Sequence, residues 1–107
     1  MIVASYIEPN GFRDYGVWNC GEKFFRNNIP KGSEIIVCIP LVIKGKTYAE
    51  RKACLHELAV DWSLNSNEIY GNEGNLSMGE LIDIYSFFET NGKRYGLLEE
   101  FRENAIC

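Results

Sequence analysis

Residues 47–64 read TYAERKACLHELAVDWSL, and residues 77–105 read SMGELIDIYSFFETNGKRYGLLEEFRENA. These two runs decide the fold class. In the first, Leu55, Leu58, Ala59 and Trp62 recur at helical spacing, with Tyr48 one heptad before Leu55. Arg51, Lys52, Glu57 and Asp61 mostly fall elsewhere, so the predicted helix is amphipathic. Thr47 and Glu50 have the form of a capping box, in which each side chain satisfies a free backbone N–H of the first turn. Ser77 and Glu80 repeat that form and open a run with Leu81, Ile84, Tyr85 and Phe88 on one stripe. Asn91-Gly92 tolerates the left-handed backbone that ends helices, so the second helix is expected to stop there. A third helix over 94–105 places Leu97, Leu98, Phe101 and Ala105 on one face. Glu99, Glu100, Arg102 and Glu103 take the other. Residues 77–105 thus read as a helical hairpin closed by a tight Asn-Gly turn. Gly96 weakens the third helix, since Gly inside a helix costs roughly 1 kcal/mol relative to Ala. A start only after Gly96 is the alternative.

The first 46 residues have a different texture. Residues 1–7 are short and rich in Ile, Val and Tyr, a strand pattern. Residues 8–11 carry turn chemistry. Residues 12–20 are aromatic and glycine-bearing with no clean period, which leaves a second strand or an ordered loop open. Residues 21–28 read as one or two helical turns carrying Phe24 and Phe25, and 29–32 as another turn. Residues 34–43 are the clearest strand, and their continuous apolar character predicts burial on both faces. Pro40 cannot donate to a ladder, so it marks an edge or a bulge. Residues 44–46 are an exposed turn. Residues 65–76 form a polar loop rich in Asn and Gly, long for a connector, which points to binding or local disorder. The expected fold is α+β, with a two- or three-stranded sheet from the N-terminal half packed against about three C-terminal helices. We expect a single domain, 1–107, with a strand-rich part (1–46) and a helical part (47–107).

Composition bounds the function. A chain of 107 residues with 46% hydrophobic content can build one core without staples. No apolar run approaches the ~18 residues of a membrane helix. The N-terminus lacks a basic region followed by a long apolar run. A cytoplasmic protein with no membrane partner is expected. Cys20, Cys38, Cys54 and Cys107 form no C-x-x-C pair and read as free thiols in a reducing compartment, Cys38 in the core and Cys107 exposed. Charge is segregated. Residues 1–46 carry six Lys/Arg and four Asp/Glu, a balance of +2. Residues 47–107 carry five and eleven, a balance of −6, consistent with the net −4. Such asymmetry steers partners, unless the carboxylates only solvate helices.

Catalytic constellations are thin. Cys54 and the only histidine, His56, are two apart, and on a helix they point in different directions. Cys20 or Cys38 would have to meet His56 through the fold. One His and four scattered Cys supply no zinc pattern, and no metal or cofactor is expected. Glu57/Asp61 and Glu99/Glu103 sit four apart on helix faces, where solvation is the simpler role than acid–base work. Gly71, Gly74 and Gly79 lack the context of a phosphate loop. Lys23, Arg26, Lys31, Lys44 and Lys46, with Phe24, Phe25 and Tyr48 nearby, make a basic-aromatic candidate for nucleic acid. The acidic helices offer the opposite possibility, an imitation of the phosphate backbone.

One resemblance adds to this. Ser77-Met78-Gly79-Glu80-Leu81, continuing to Gly92-Lys93-Arg94-Tyr95-Gly96-Leu97-Leu98-Glu99-Glu100-Phe101-Arg102-Glu103-Asn104-Ala105-Ile106-Cys107, resembles the ends of small accessory proteins encoded by bacteriophages of enteric bacteria. It covers about the last third of the chain. Val3-Ala4-Ser5-Tyr6 with Tyr15-Gly16-Val17-Trp18, together with residues 77–81, is also similar to the antirestriction DNA-mimic family. This chain is shorter and much less acidic than that family. Either resemblance implies a small protein that binds a host macromolecule, blocking restriction, CRISPR or recombination nucleases or redirecting transcription.

The expected function is therefore a non-enzymatic, phage-type accessory protein that binds and inhibits or redirects a host protein in the bacterial cytoplasm. The target would be a defence nuclease, a restriction or recombination complex, or a transcription factor. Its contact residues would be Trp18, Glu68, Tyr70, Glu73, Phe87, Glu99 and Glu103. Aromatic anchors dominate interfaces, and Trp18 and Tyr70 are read as exposed. Phe87 and Phe88 are adjacent and cannot share one core stripe, so Phe87 points outward, toward a partner or a second copy of the chain. Two alternatives stay open. One is a nucleic-acid-binding regulator using the five Lys/Arg above, and the other a small enzyme using Cys20, Cys38 or Cys54.

Overall fold

The computed structural model describes residues 1–69, 77–104 and 106, with side chains up to residue 65 in the first span. The order is β1 (Ile2–Ile7), β2 (Arg13–Trp18), α1 (Glu22–Asn28), β3 (Glu34–Pro40), α2 (Tyr48–Ile69), α3 (Met78–Tyr95) and α4 (Leu98–Glu103). The class is α+β, as the segregated patterns predict. The described residues form two compact units. One holds 1–41, 65–69 and 77, the other 42–64 with 78–104 and 106. Among the described residues no helix is long and apolar enough to cross a membrane.

In the first unit all pairing is antiparallel and β1 is the middle strand, in the order β2-β1-β3. Of residues 12–20, Arg13–Trp18 thus resolve as a strand. The β1–β2 turn uses Gly11 at φ 88°, where a side chain would be strained, and its amide donates to the Glu8 carbonyl at 2.8 Å. Phe12 N–H donates to Asn10 Oδ1 at 2.9 Å, a local side-chain turn.

The doubly buried strand is β1, with Ile2 through Tyr6 all buried, and not β3 as its apolar run suggested. β3 is an edge, consistent with Pro40. Its ladder is irregular: Ser5 pairs with Val37 and Tyr6 with Ile35, so Ile36 is the extra residue of a bulge. The bulge resets the alternation and puts Ile35 and Cys38, three apart, on the same face. Both pack with Trp18, Cys20 and Ile29 around a cluster of Ile2, Ala4, Tyr6 and Phe25. Phe25 enters from α1, which at seven residues cannot stand alone. Its ring lies 4.8 Å from Trp18 and 6.0 Å from Tyr6, centroid to centroid.

In the second unit Thr47 caps α2. Its Oγ1 accepts the Glu50 N–H at 3.1 Å, while Glu50 Oε2 accepts the Lys46 N–H at 2.7 Å, one residue earlier than a capping box requires. The predicted stripe Leu55, Leu58, Ala59 and Trp62 is buried. α2 runs on through 65–69, where the polar sequence predicts a loop. Asn and Ser there are merely neutral in a helix, and continuation of the backbone ladder outweighs them.

The second helix does not stop at Asn91-Gly92. α3 continues to Tyr95, and the break falls at Gly96, φ 72°. The Leu97 N–H closes the end on the Gly92 carbonyl at 2.8 Å, a Schellman pattern. Gly92 has another role. A Cβ there would lie 3.0 Å from the Phe101 ring and 3.3 Å from the Leu98 Cα, so it marks the close approach of α4 to α3. The helical hairpin stands, with its corner four residues later and α4 shorter than the 94–105 expected.

Gly92→Ala tests this contact. Ala gains about 1 kcal/mol of helix propensity, but overpacking a rigid site costs about 1–3 kcal/mol. Because Phe101 is fully buried and Leu98 offers backbone, we expect a net loss of roughly 1 kcal/mol in chemical denaturation. An unchanged or raised midpoint would show that α4 yields easily.

A pH test comes from the β1–β2 hairpin. A hydrogen bond to Asp14, then burial and the Asp14 charge, raise the pKa of the Glu8 carboxyl. The folded state therefore holds this proton more tightly than the unfolded chain. That contribution is present below the ordinary carboxylate range and is lost as pH rises through the folded pKa. Glu8→Gln keeps a donor to Asp14 and removes a charge. Its thermal midpoint should exceed the parent's at neutral pH, and the difference should close on acidification below about pH 4.

Candidate functional site

In the second unit, α2 and α4 frame a cleft of about 190 Å³. Its floor is Ala59, Phe101 and Ile106, all buried. The α2 wall is His56, Val60, Ser63 and Leu64, and the α4 wall is Glu100 and Asn104. Val60 and Leu64 are 42% and 76% exposed, one helical turn apart. The stripe Leu55–Trp62 faces inward, so these apolar residues lie beyond it on the solvent side.

The mouth is spanned by one contact. His56 Nε2 lies 3.1 Å from Glu100 Oε1, with both side chains about half exposed (50% and 49%). It is a charge pair when the imidazole is protonated. Asn104 Nδ2 donates to the Glu100 carbonyl at 2.8 Å, and the Ile106 N–H to the Phe101 carbonyl at 2.8 Å, which fixes the chain leaving α4 over the floor.

The group that His56 faces across the cleft mouth is a carboxylate, Glu100. Ser63 is seven residues along the same helix, about 10 Å of rise away. Cys54 is turned to the preceding segment: its thiol faces the Val42 carbonyl at 3.7 Å and its sulfur accepts the Lys44 N–H at 3.4 Å. Cys38 lies in the first unit, 3.9 Å from Glu22 Oε1, and burial above all pushes its thiol pKa up, against thiolate formation. Cys20 packs at the margin of the Phe25 cluster. Among the described residues no group of three or more His, Cys, Asp or Glu is placed to hold a metal.

The sequence-derived site residues fall in both units. Trp18, read as an exposed anchor, is half-buried against Phe25 and Tyr6, because the sheet needs its ring for packing. Phe87 is half-buried too, edge-on to Phe88 at 5.2 Å. Glu99 and Glu103 are exposed at the two ends of α4, on one face. Glu68 lies on α2 with its side chain outside the described residues, and Tyr70, Glu73 and Cys107 lie outside them altogether. Lys23, Arg26 and Lys31 are exposed in the first unit, where Arg26 and Lys31 border one shallow hollow. Arg26 is committed to Glu22 at 3.1 Å. Lys44 and Lys46 belong to the second unit. Sequence reasoning missed the His56–Glu100 contact, which joins residues 44 apart. The available signal was Val60 and Leu64, apolar residues off the predicted stripe.

The site separates into a structural floor and an expendable mouth. Phe101→Ala should cost roughly 3–5 kcal/mol. His56→Ala should change stability by less than about 1 kcal/mol, since its partner is an exposed carboxylate. Denaturation midpoints of the two variants check this, and a large loss from His56→Ala would make the pair structural. Compared with protein-family models, with curated proteins and with solved structures, the chain finds no match.

Proposed function

We propose that this chain is a non-enzymatic accessory protein of the phage type, which binds a host protein in the bacterial cytoplasm and blocks or redirects it. The target class is a defence nuclease, a restriction or recombination complex, or a transcription factor. One observation carries the binding part of the reading: an apolar-floored cleft open to solvent, with Val60 and Leu64 exposed on its wall and the carboxylate-bearing face of α4 beside it. Exposed apolar side chains gathered at a concave site favour a contact over simple solvation. The phage and host parts of the reading rest on the resemblance of residues 77–107. Geometry at the cleft favours binding over catalysis, since His56 faces a carboxylate and the Cys54 and Cys38 thiols face other groups, the Val42 carbonyl and Glu22.

The acidic balance of residues 47–107 disfavours nucleic acid as the ligand of this face. The runner-up, a nucleic-acid regulator, draws on the Arg26–Lys31 hollow.

Affinity capture of the tagged chain from an enteric bacterial lysate, with and without nuclease, separates these readings. We expect one stoichiometric protein that survives nuclease and is weakened by Glu99→Gln/Glu103→Gln. Recovery of nucleic acid alone, or of no stoichiometric partner, would overturn the proposal.

A further inference from the structure

The geometry points to a specific occupant of the cleft: one bulky apolar side chain of a partner polypeptide, presented by a segment whose neighbouring residues are Lys or Arg. This rests on the binding-protein reading and adds the chemistry of the partner.

Size comes first. Cavities for free metabolites and cofactors run from about 300 to 1,000 Å³. The cleft, at about 190 Å³, is smaller. It is close to the roughly 150 Å³ that accommodates a benzene ring. Its capacity is one large side chain, and its open mouth leaves room for the backbone that carries it. The lining fits such a guest. Phe101 and Ala59 lie below, and Val60 and Leu64 at the side would lose exposed apolar surface when it enters.

Charge comes second. Around α2, at about 100° per residue, Glu57 and Asp61 follow directly beyond Leu64 on the outer side of the wall. Around α4, Glu103 follows beyond Glu100 and Asn104. The apolar trough therefore runs between two carboxylate-bearing ridges, and Arg102 lies on the opposite flank of α4. Among the described residues that line the cleft there is no Lys or Arg, and the His56 ring is held on Glu100. An acidic segment would meet like charge on both sides. A basic one would meet opposite charge and could compete with His56 for Glu100.

The test uses short blocked peptides titrated into the isotope-labelled protein and followed by amide chemical shifts. The probe is Lys-Lys-Phe-Lys-Lys, and the comparators are Glu-Glu-Phe-Glu-Glu and Lys-Lys-Ser-Lys-Lys. We expect the probe to shift Val60, Leu64, Glu100 and Asn104, and to bind about tenfold more tightly than either comparator, as burial of one aromatic side chain allows. Val60→Ser/Leu64→Ser should abolish that preference for Phe. Glu57→Gln/Glu103→Gln should weaken the probe about threefold, and added salt should do the same. These four residues are exposed, so the parent spectrum should persist elsewhere. No shift at millimolar probe, equal binding of either comparator, or shifts confined to other surfaces would overturn the assignment. So would cleft shifts that depend on the concentration of the protein alone, which would make a second copy the occupant. If the peptides fail while lysate capture still yields a stoichiometric protein, only this assignment falls. If capture also fails, the binding-protein reading falls with it.

Discussion

The approach of Phe101 to Gly92 is the constraint on which the second unit's site depends. A glycine on α3 lets the ring of α4 lie against bare backbone, and Phe88 meets the same ring edge-on at 5.8 Å. A helix of six residues has little stability of its own. α4 is fixed by this one ring, by Leu97 tied back to Gly92, and by Ile106 tied back to Phe101. All three contacts are local, lying within residues 92–106, and it is α4 that brings Glu100 to His56. The cleft exists because the corner is tight.

The first unit solves a different problem with the same economy. Three strands give one middle strand and two edges, and here it is the middle strand that is buried on both faces. Phe25 fills one face, reached through a helix of two turns. The bulge at Ile36 then lets the edge strand contribute both Ile35 and Cys38 to that face. Without the extra residue, strict alternation would send one of them to the other side. Pro40 at the end of the same strand withholds a donor, which helps to close that edge to strangers.

Much of this was legible in the residues. The α2 stripe, the Thr47 cap, the turn at residues 8–11 and Phe25's helix all follow from local pattern, and local pattern is what a sequence displays directly. The failures have a common cause. Asn91-Gly92 has the chemistry of a helix stop, yet Gly92 serves close packing, and only the position of Phe101 distinguishes the two uses. Residues 34–43 look doubly buried because composition records hydrophobicity and not strand order. Asn65 begins a polar run that reads as loop, yet its first four residues, 65–68, are helical and α2 ends at Ile69. The site was least legible. The His56–Glu100 contact is non-local, and Trp18 looked like an anchor because an aromatic residue gives the same signal in a core and at an interface.

What the sequence did carry about the site is an inconsistency of pattern. On α2, Leu55, Leu58, Ala59 and Trp62 complete a core stripe, so Val60 and Leu64 are apolar residues in excess of what packing uses. Leaving two branched aliphatic side chains in water on a helix confers no folding advantage, since the hydrophobic contribution comes from area removed from water. Polar residues at both positions would keep the helix and improve solubility. The carboxylates that flank them act in the other direction, keeping the face hydrated and repelling like-charged copies while the apolar wall stands open. A surface that needed only solubility would use the second device without the first. Together they set an exposed apolar wall, Val60 and Leu64, between carboxylate-bearing helix faces.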